Sequence, residues 1–135
     1  MVISTRGRYA LRVMIDIAEN QEEGKYIALK EIVERQGISQ KYLESIMTEL
    51  SKGGFLDAVH GKGGGYRLNR KPEDYKVSEI LKVTEGGICP VSCPVCTGST
   101  CPKSEGCRTL PMWQALYKDI NDFFDSYTIA NLMKK

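Results

Sequence analysis

All five cysteines of the 135-residue chain fall in one short stretch, "CPVSCPVCTGSTCPKSEGC" at 89–107. Thiolates bind iron-sulfur clusters and zinc, and a set of four that includes one C-x2-C pair suits either centre. The interleaved prolines and glycines favour a tight loop around a metal, because they supply turns and reduce backbone freedom. The spacing alone leaves an iron-sulfur cluster and zinc equally open, and a thiol-disulfide switch at "CPVC" is a third interpretation.

A structural disulfide is the least favoured use of these thiols. The first residues lack the uninterrupted apolar core of a signal peptide, and no apolar run approaches the roughly 20 residues that cross a bilayer. We therefore expect a cytoplasmic protein with no membrane partner, in which thiols remain reduced. The odd number of cysteines also argues against complete internal pairing.

Length and composition indicate one globular domain, because 135 residues with 41% apolar content are enough for a sizeable core. Residues 1–71 carry 12 Lys and Arg against 9 Asp and Glu, whereas residues 72–135 carry 7 against 8. This weak asymmetry permits nucleic-acid binding without requiring it. Apart from the cysteines and the one histidine there is no convergent set of acid, base and nucleophile, so we expect no enzyme.

Apolar periodicity predicts the helices that must position the loop. Apolar residues recur at helical spacing within 10–17 and within 29–33, and Gly37 ends the second of these segments. Ser39 can cap a third helix over 39–50, which the glycines of "KGG" end. This part of the chain therefore has the pattern of a helix, a tight turn and a helix.

A β-hairpin is predicted directly after the third helix. Two β-compatible runs, 55–60 and 66–68, flank the glycine-rich tip "GKGGG". The tip lacks the Gly-Lys-Ser/Thr order of a nucleotide-binding P-loop. A helix-turn-helix followed by a hairpin is typical of a winged helix. The predicted fold class is therefore mainly α with a small β-hairpin: a winged helix-turn-helix domain plus a long C-terminal dimerisation helix.

The first turn of helix 39–50 presents polar side chains where winged helices meet base edges in the major groove. Gln40 can pair with adenine and Glu44 can accept a hydrogen bond from cytosine. Lys41 and Tyr42 lie between them. A solvated helix face that contacts no DNA would have the same composition.

The late segment "PMWQALYKDINDFFDSY" predicts an amphipathic helix over about 111–126, after a short helix near 78–84. Its bulky residues could form core or a two-fold seam. Because palindromic DNA sites mirror protein two-fold symmetry, we expect a homodimer. The predicted organisation is a DNA-binding domain over 1–71, and then 72–135 with the short helix, a cysteine-rich loop at 86–108 and the dimerisation helix.

Over nearly its whole length the chain resembles the bacterial winged-helix transcription regulators of the IscR, NsrR and CymR type. The resemblance rests on the cysteine loop with the helix after it and on three motifs: "STRGRYALRVMIDIA", "LKEIVERQGISQKYLESIMTELSKGGFL" and "VHGKGGGYRL". It implies a homodimer that reads double-stranded DNA at a pseudo-palindromic operator, with helix 39–50 in the major groove and the wing tip in the minor groove. It also implies sensing of redox, iron or nitric oxide status through a [2Fe-2S] or [4Fe-4S] cluster.

Carried onto this chain, the expected DNA contacts are Arg6, Ser39, Gln40, Lys41, Tyr42, Glu44, His60, Lys62, Gly63 and Gly64. His60 stands where the family usually has Arg, so the minor-groove contact departs from the family pattern. A protonated histidine could still donate to a phosphate or a base, which would make DNA affinity pH-dependent near neutrality. A wing residue with no special role is the alternative interpretation.

The family's cluster ligands match three loop cysteines. Cys93, Cys101 and Cys107 reproduce the family spacing of eight and then six residues. The fourth ligand of IscR, a His, corresponds to Leu110 here, and the Asp that NsrR contributes from the partner's first helix corresponds to Arg8.

Two further thiols of the loop can replace the missing fourth ligand, because thiolates are good ligands for iron-sulfur clusters. Our first choice is Cys96, with Cys89 as an alternative ligand. Zinc in the same loop, a thiol switch, and a cluster-transfer or redox protein that does not bind DNA remain the alternative functions.

Overall fold

The computed structural model describes residues 3–91 and 105–134 of the chain. A single antiparallel hairpin stands beside the helices, and a 3-10 turn, Pro72–Asp74, follows it. In chain order the elements are α1 Thr5–Asn20, α2 Leu29–Gln36, α3 Gln40–Lys52, β1 Leu56–Val59, β2 Gly65–Leu68, α4 Val77–Glu85, α5 Leu110–Asp125 and α6 Ile129–Leu132.

The predicted helix-turn-helix is confirmed at α2 and α3. Gly37 ends α2 in the left-handed conformation, with φ at 65°, which glycine adopts without steric cost. The Ser39 side chain then accepts a hydrogen bond from the Tyr42 backbone N–H at 3.3 Å and caps α3. One face of α3 is fully buried in the core through four apolar residues: Leu43, Ile46, Met47 and Leu50.

The hairpin pairs β1 with β2, with Leu56 opposite Leu68 and Val59 opposite Gly65. An isolated backbone bridge, which was not predicted from the sequence, joins β2 to the linker between α1 and α2. The N–H groups of Ile27 and Tyr66 each donate to the other residue's carbonyl oxygen at 2.8 Å. The linker between α1 and α2 therefore fixes the base of the wing.

The C-terminal segment returns to the core of the winged helix. Val77 N–H donates to the Tyr127 carbonyl at 2.9 Å, and Ile129 N–H donates to the Tyr75 carbonyl at 3.0 Å. Tyr75, Ile80 and Ile129 are fully buried in the same cluster as α1 and α3. The division into 1–71 and 72–135 stays a prediction, and residues from both sides of it share one core.

A buried ion pair joins α1 to α2. Asp16 is 4% exposed and accepts hydrogen bonds from Arg35 at 2.7–3.2 Å and from the Gln36 side chain at 2.8 Å. The bond to this carboxylate raises the pKa of Arg35, as expected for a stabilised guanidinium.

Replacing Asp16 by Ala is expected to lower the free energy of unfolding by about 2 kcal/mol. Broken buried pairs typically cost roughly 3–5 kcal/mol, and the value is lower here because water screens the Arg35 side chain, which is 34% exposed. Urea unfolding followed by circular dichroism measures the change. In the control variant Glu22→Ala, which breaks the surface pair of Glu22 with Lys25, the midpoint should hardly move. Equal losses in both variants would contradict a structural role of the buried pair.

Candidate nucleic-acid interface and cysteine loop

The first turn of α3 is solvent-exposed at the positions that the sequence analysis selected. Gln40, Lys41 and Glu44 are exposed, and the Gln40 amide donates to the Glu44 carboxylate at 3.2 Å. The Lys41 side chain makes no hydrogen bond or ion pair with any described residue. Ser39 uses its hydroxyl for the helix cap, so its first role is to start the helix that carries the other three.

The wing tip depends on glycine at several positions. Gly61 and Gly63 have φ of 95° and 78°, and the Gly64 N–H donates to the Gly61 carbonyl at 3.0 Å. A Cβ on Gly64 would lie 2.2 Å from the Val59 carbonyl oxygen. Only glycine therefore permits this close turn, which leaves the neighbouring side chains exposed, namely His60 and Lys62.

A groove of about 400 Å³ separates α3 from the wing. Its lining includes Glu44 and Thr48 from α3, and His60 and Tyr66 from the hairpin. Burial, with a smaller effect of the Glu44 charge, raises the pKa of Tyr66, so the phenol keeps its proton at neutral pH and can donate a hydrogen bond. The groove thus combines donors and acceptors from both elements.

Helix α1 holds α3 in place through Arg6, a residue that the sequence predicts to contact DNA. The Arg6 guanidinium forms an ion pair with Glu49, with Nε 2.6 Å from the carboxylate, and donates to the Ser45 hydroxyl at 2.9 Å. These partners fix the middle of α3 against the start of α1. The predicted contact of Arg6 with DNA stays a prediction.

Aromatic packing against α1 supports the first turn of α3. The Tyr9 ring meets the Tyr42 ring edge-to-face, with centroids 5.9 Å apart and planes at 78°. Tyr9 was not among the residues predicted from the sequence. The spacing of Arg6, Tyr9 and Arg12, three residues apart in "RGRYALR", was the signal that these side chains share one helix face.

Glu85, the residue before the glycines that lead into the cysteine loop, holds the residue that caps α1. The Glu85 carboxylate accepts hydrogen bonds from the Ser4 backbone N–H at 2.9 Å and from the Ser4 hydroxyl at 2.6 Å. Ser4 in turn accepts from the Gly7 N–H at 3.2 Å as the N-cap of α1. A Cβ on Gly7 would lie 2.3 Å from the Glu85 oxygen, so a larger residue there would displace the carboxylate.

Three of the predicted metal ligands, Cys93, Cys96 and Cys101, lie outside the described residues. The fourth, Cys107, is a free thiol two residues before the N-cap of α5. Its sulfur lies 3.6 Å from the Thr109 hydroxyl. This contact, together with the backbone N–H groups at the helix start, lowers the pKa of Cys107. Metals bind the thiolate form.

Cys89, the predicted alternative ligand, lies near the end of the first described range, with its sulfur 3.1 Å from the Val91 carbonyl oxygen. Within 3–91 and 105–134, no three His, Cys, Asp or Glu side chains converge in a way that could hold a metal ion.

Helix α5 exposes apolar side chains that the rest of the described structure does not cover. Met112, Leu116 and Phe123 are 54%, 38% and 56% exposed, and α5 contains no buried residue. Large apolar patches on a protein surface mark interaction sites. Across the described ranges, none of the helices has the length and apolar character needed to span a bilayer.

Comparison with known proteins shows a family match over almost the whole chain. The family model described as "Rrf2: Iron-dependent Transcriptional regulator" matches residues 3–135. The transcriptional regulator IscR of Aliivibrio salmonicida is 35% identical over 133 residues, which cover 98% of this chain and 77% of that protein. Protein rrf2 of Nitratidesulfovibrio vulgaris is 36% identical over 138 residues, covering 99% and 88%.

Solved structures have the same architecture. CymR, the global cysteine regulator of B. subtilis, superposes with a TM-score of 0.79 at 30% identity and covers 98% of this chain and 95% of its own. IscR of T. potens gives a TM-score of 0.74 at 36% identity, with 98% and 85% covered. These matches confirm the winged-helix fold class predicted from the sequence.

Proposed function

The chain belongs to the Rrf2 family of transcriptional regulators, and we propose that it is a cytoplasmic homodimer that binds a pseudo-palindromic operator and senses redox, iron or nitric oxide status through an iron-sulfur cluster in its cysteine loop. Its relatives are regulators and not enzymes, which confirms the expectation of no catalytic activity. The family also supports DNA binding as the general activity.

The observation that carries the DNA-binding proposal is an exposed polar helix turn next to a glycine-formed wing. Gln40, Lys41 and Glu44 are exposed at the start of α3, and Glu44 lines the same groove as His60 of the wing. Helix α1 holds the middle of α3 through the contacts of Arg6 with Glu49 and Ser45, so little ordering of the helix is required when DNA binds. Such a rigid helix can enter a major groove while the wing contacts the flanking backbone or minor groove.

The exposed face of α5 supports the homodimer. A two-fold axis across α5 would bury Met112, Leu116 and Phe123 of both protomers in one seam, since such an interface uses the same surface patch twice. The two recognition helices would then be related by the same axis as the half-sites of a palindrome.

The donor set of the loop fits an iron-sulfur cluster. Cys93, Cys96, Cys101 and Cys107 would hold it, with Cys89 as an alternative. The lowered pKa of the Cys107 thiol favours the thiolate that a ligand requires. Such a cluster, when bound, supplies reactivity with oxygen and nitric oxide and a requirement for iron.

A hydrogen-bonded route runs from the start of the loop to α3. Glu85, beside the glycines that lead into the loop, holds Ser4 at the beginning of α1. Two residues later Arg6 holds Glu49 and Ser45 of α3. A shift of Glu85 would therefore move the start of α1 and, through Arg6, the recognition helix α3. The loop can alter DNA affinity only if its state favours one such arrangement over another.

The base contacts proposed for α3 are tested by two variants, Lys41→Ala and Tyr42→Phe. The second variant removes the hydroxyl of Tyr42 but keeps its ring packed on Tyr9. An operator is first selected from random-sequence duplexes. Each variant is expected to bind this operator about tenfold more weakly, and a random duplex less than about twofold more weakly, because base contacts carry specificity. Fluorescence anisotropy on both duplexes measures the difference. Equal losses on both would assign the residue to phosphate contact alone.

A further inference from the structure

We infer that Arg12 is a phosphate-binding residue that contacts the DNA backbone next to the groove entered by α3. The inference rests on the proposed function, because it adds a contact to the same interface. Neither the periodicity of α1 nor the expected set of DNA contacts pointed to this residue.

The Arg12 side chain is exposed and yet held on two sides. Its Nε donates to the Gln36 side-chain oxygen at 3.1 Å, and its Nη2 donates to the Gln36 carbonyl at 3.1 Å. The guanidinium carbon lies 5.3 Å from the centroid of the Tyr9 ring. An exposed arginine ordinarily samples many rotamers, so a fixed guanidinium loses less freedom when it binds a ligand.

The Arg12 guanidinium forms no ion pair with a carboxylate of the described residues. The ion pairs in the described part of the chain all involve other lysines and arginines. Asp16, one helical turn further on, is bound by Arg35 and by the Gln36 amide. The Gln36 side chain thus stands between the two charges, with its oxygen facing Arg12 and its nitrogen facing Asp16. In contrast, Arg6 on the same helix is neutralised by Glu49.

Arg12 lies at a place where a backbone phosphate of the bound duplex would come within reach of its guanidinium. Gln36 is the last residue of α2, immediately before the turn of the helix-turn-helix. On the other side, Tyr9 contacts Tyr42 in the first turn of α3. In helix-turn-helix complexes the strands that border the occupied groove pass close to this region, and arginine is a preferred donor to phosphate oxygens. We therefore assign a phosphate of the bound duplex as the partner.

The test is the salt dependence of DNA affinity for the full-length protein with Arg12→Gln. The selected operator and a random duplex are titrated at several NaCl concentrations. A phosphate contact predicts about fivefold weaker binding to both duplexes and a log–log salt slope that falls by about two for the dimer. Arg12→Lys, which keeps the charge, should retain most of the slope. The thermal midpoints of both variants should equal that of the wild type.

A charge-matched control is Lys134→Ala in the C-terminal segment, whose backbone N–H contacts Glu19. It should leave the slope unchanged. If Arg12→Gln keeps the wild-type slope, or loses affinity only together with thermal stability, then Arg12 merely packs against Gln36 and Tyr9, and the inference is wrong. If the wild-type protein shows no salt-dependent DNA affinity, the proposed function fails first, and the Arg12 contact fails with it.

Discussion

Replacing Leu116 by Asp is expected to convert the homodimer into a monomer that binds the selected operator at least about 100-fold more weakly. Leu116 lies in the exposed apolar face of α5. Burying a leucine side chain stabilises an interface by about 1.5–3 kcal/mol, whereas burying two unpaired carboxylates next to a two-fold axis is strongly unfavourable. A monomer can occupy one half-site only, and it loses the roughly 10²–10⁴-fold gain that linked binding provides.

Analytical ultracentrifugation gives the oligomeric state, and anisotropy titration gives the affinity. The matched control is Leu132→Asp in α6, because Leu132 and Leu116 are both 38% exposed. The control should stay dimeric and should bind the operator as the wild type does. If the Leu116 variant sediments as a dimer, α5 is not the seam, and another surface must relate the two recognition helices.

Replacing Cys93, Cys101 or Cys107 singly by Ser is expected to abolish the visible absorption and the bound iron of anaerobically purified protein. Each variant removes one of the ligands in the proposed set, and a hydroxyl is a poor substitute for a thiolate on a soft cluster. Iron, sulfide and zinc are determined on the same samples, and sedimentation should still show a dimer. Cys89→Ser is the control and should keep the chromophore.

A colourless Cys89→Ser protein would show that Cys89 is the fourth ligand in place of Cys96. Wild-type protein that is colourless and holds one zinc per chain, even after anaerobic reconstitution with iron and sulfide, would contradict the cluster altogether. The loop would then be a structural zinc site, and the family's DNA-binding function would need another signal.

Local sequence signals were sufficient to predict the helix-turn-helix and the wing. Gly37 and Ser39 determine where one helix ends and the next begins, and the glycines at 61–65 determine the hairpin tip. Such signals depend on the conformational preferences of a few adjacent residues. The bridge between Ile27 and Tyr66 was not predicted, because it joins residues far apart in the chain.

The candidate site was also predicted only where it depends on neighbouring residues in the chain. The exposed residues at the start of α3 follow from helix geometry, so their positions could be expected from sequence. The roles of Arg6 and Glu85 depend on partners 43 and 81 residues away, Glu49 and Ser4 respectively. No pattern in a single sequence pairs such residues, so the contacts of Arg6 with α3 and of Glu85 with Ser4 were not predicted. The predicted contact of Arg6 with DNA stays a prediction.

Sensing through the cysteine loop is best tested by the affinity of one anaerobic protein preparation for the selected operator, before and after removal of its iron. We predict an iron- and sulfide-containing protein whose operator affinity changes at least about fivefold on iron removal, the lower end of typical allosteric coupling. The affinity for a random duplex should change much less. Identical operator affinities for the two forms would contradict sensing through the cysteine loop, even if both forms bound DNA tightly.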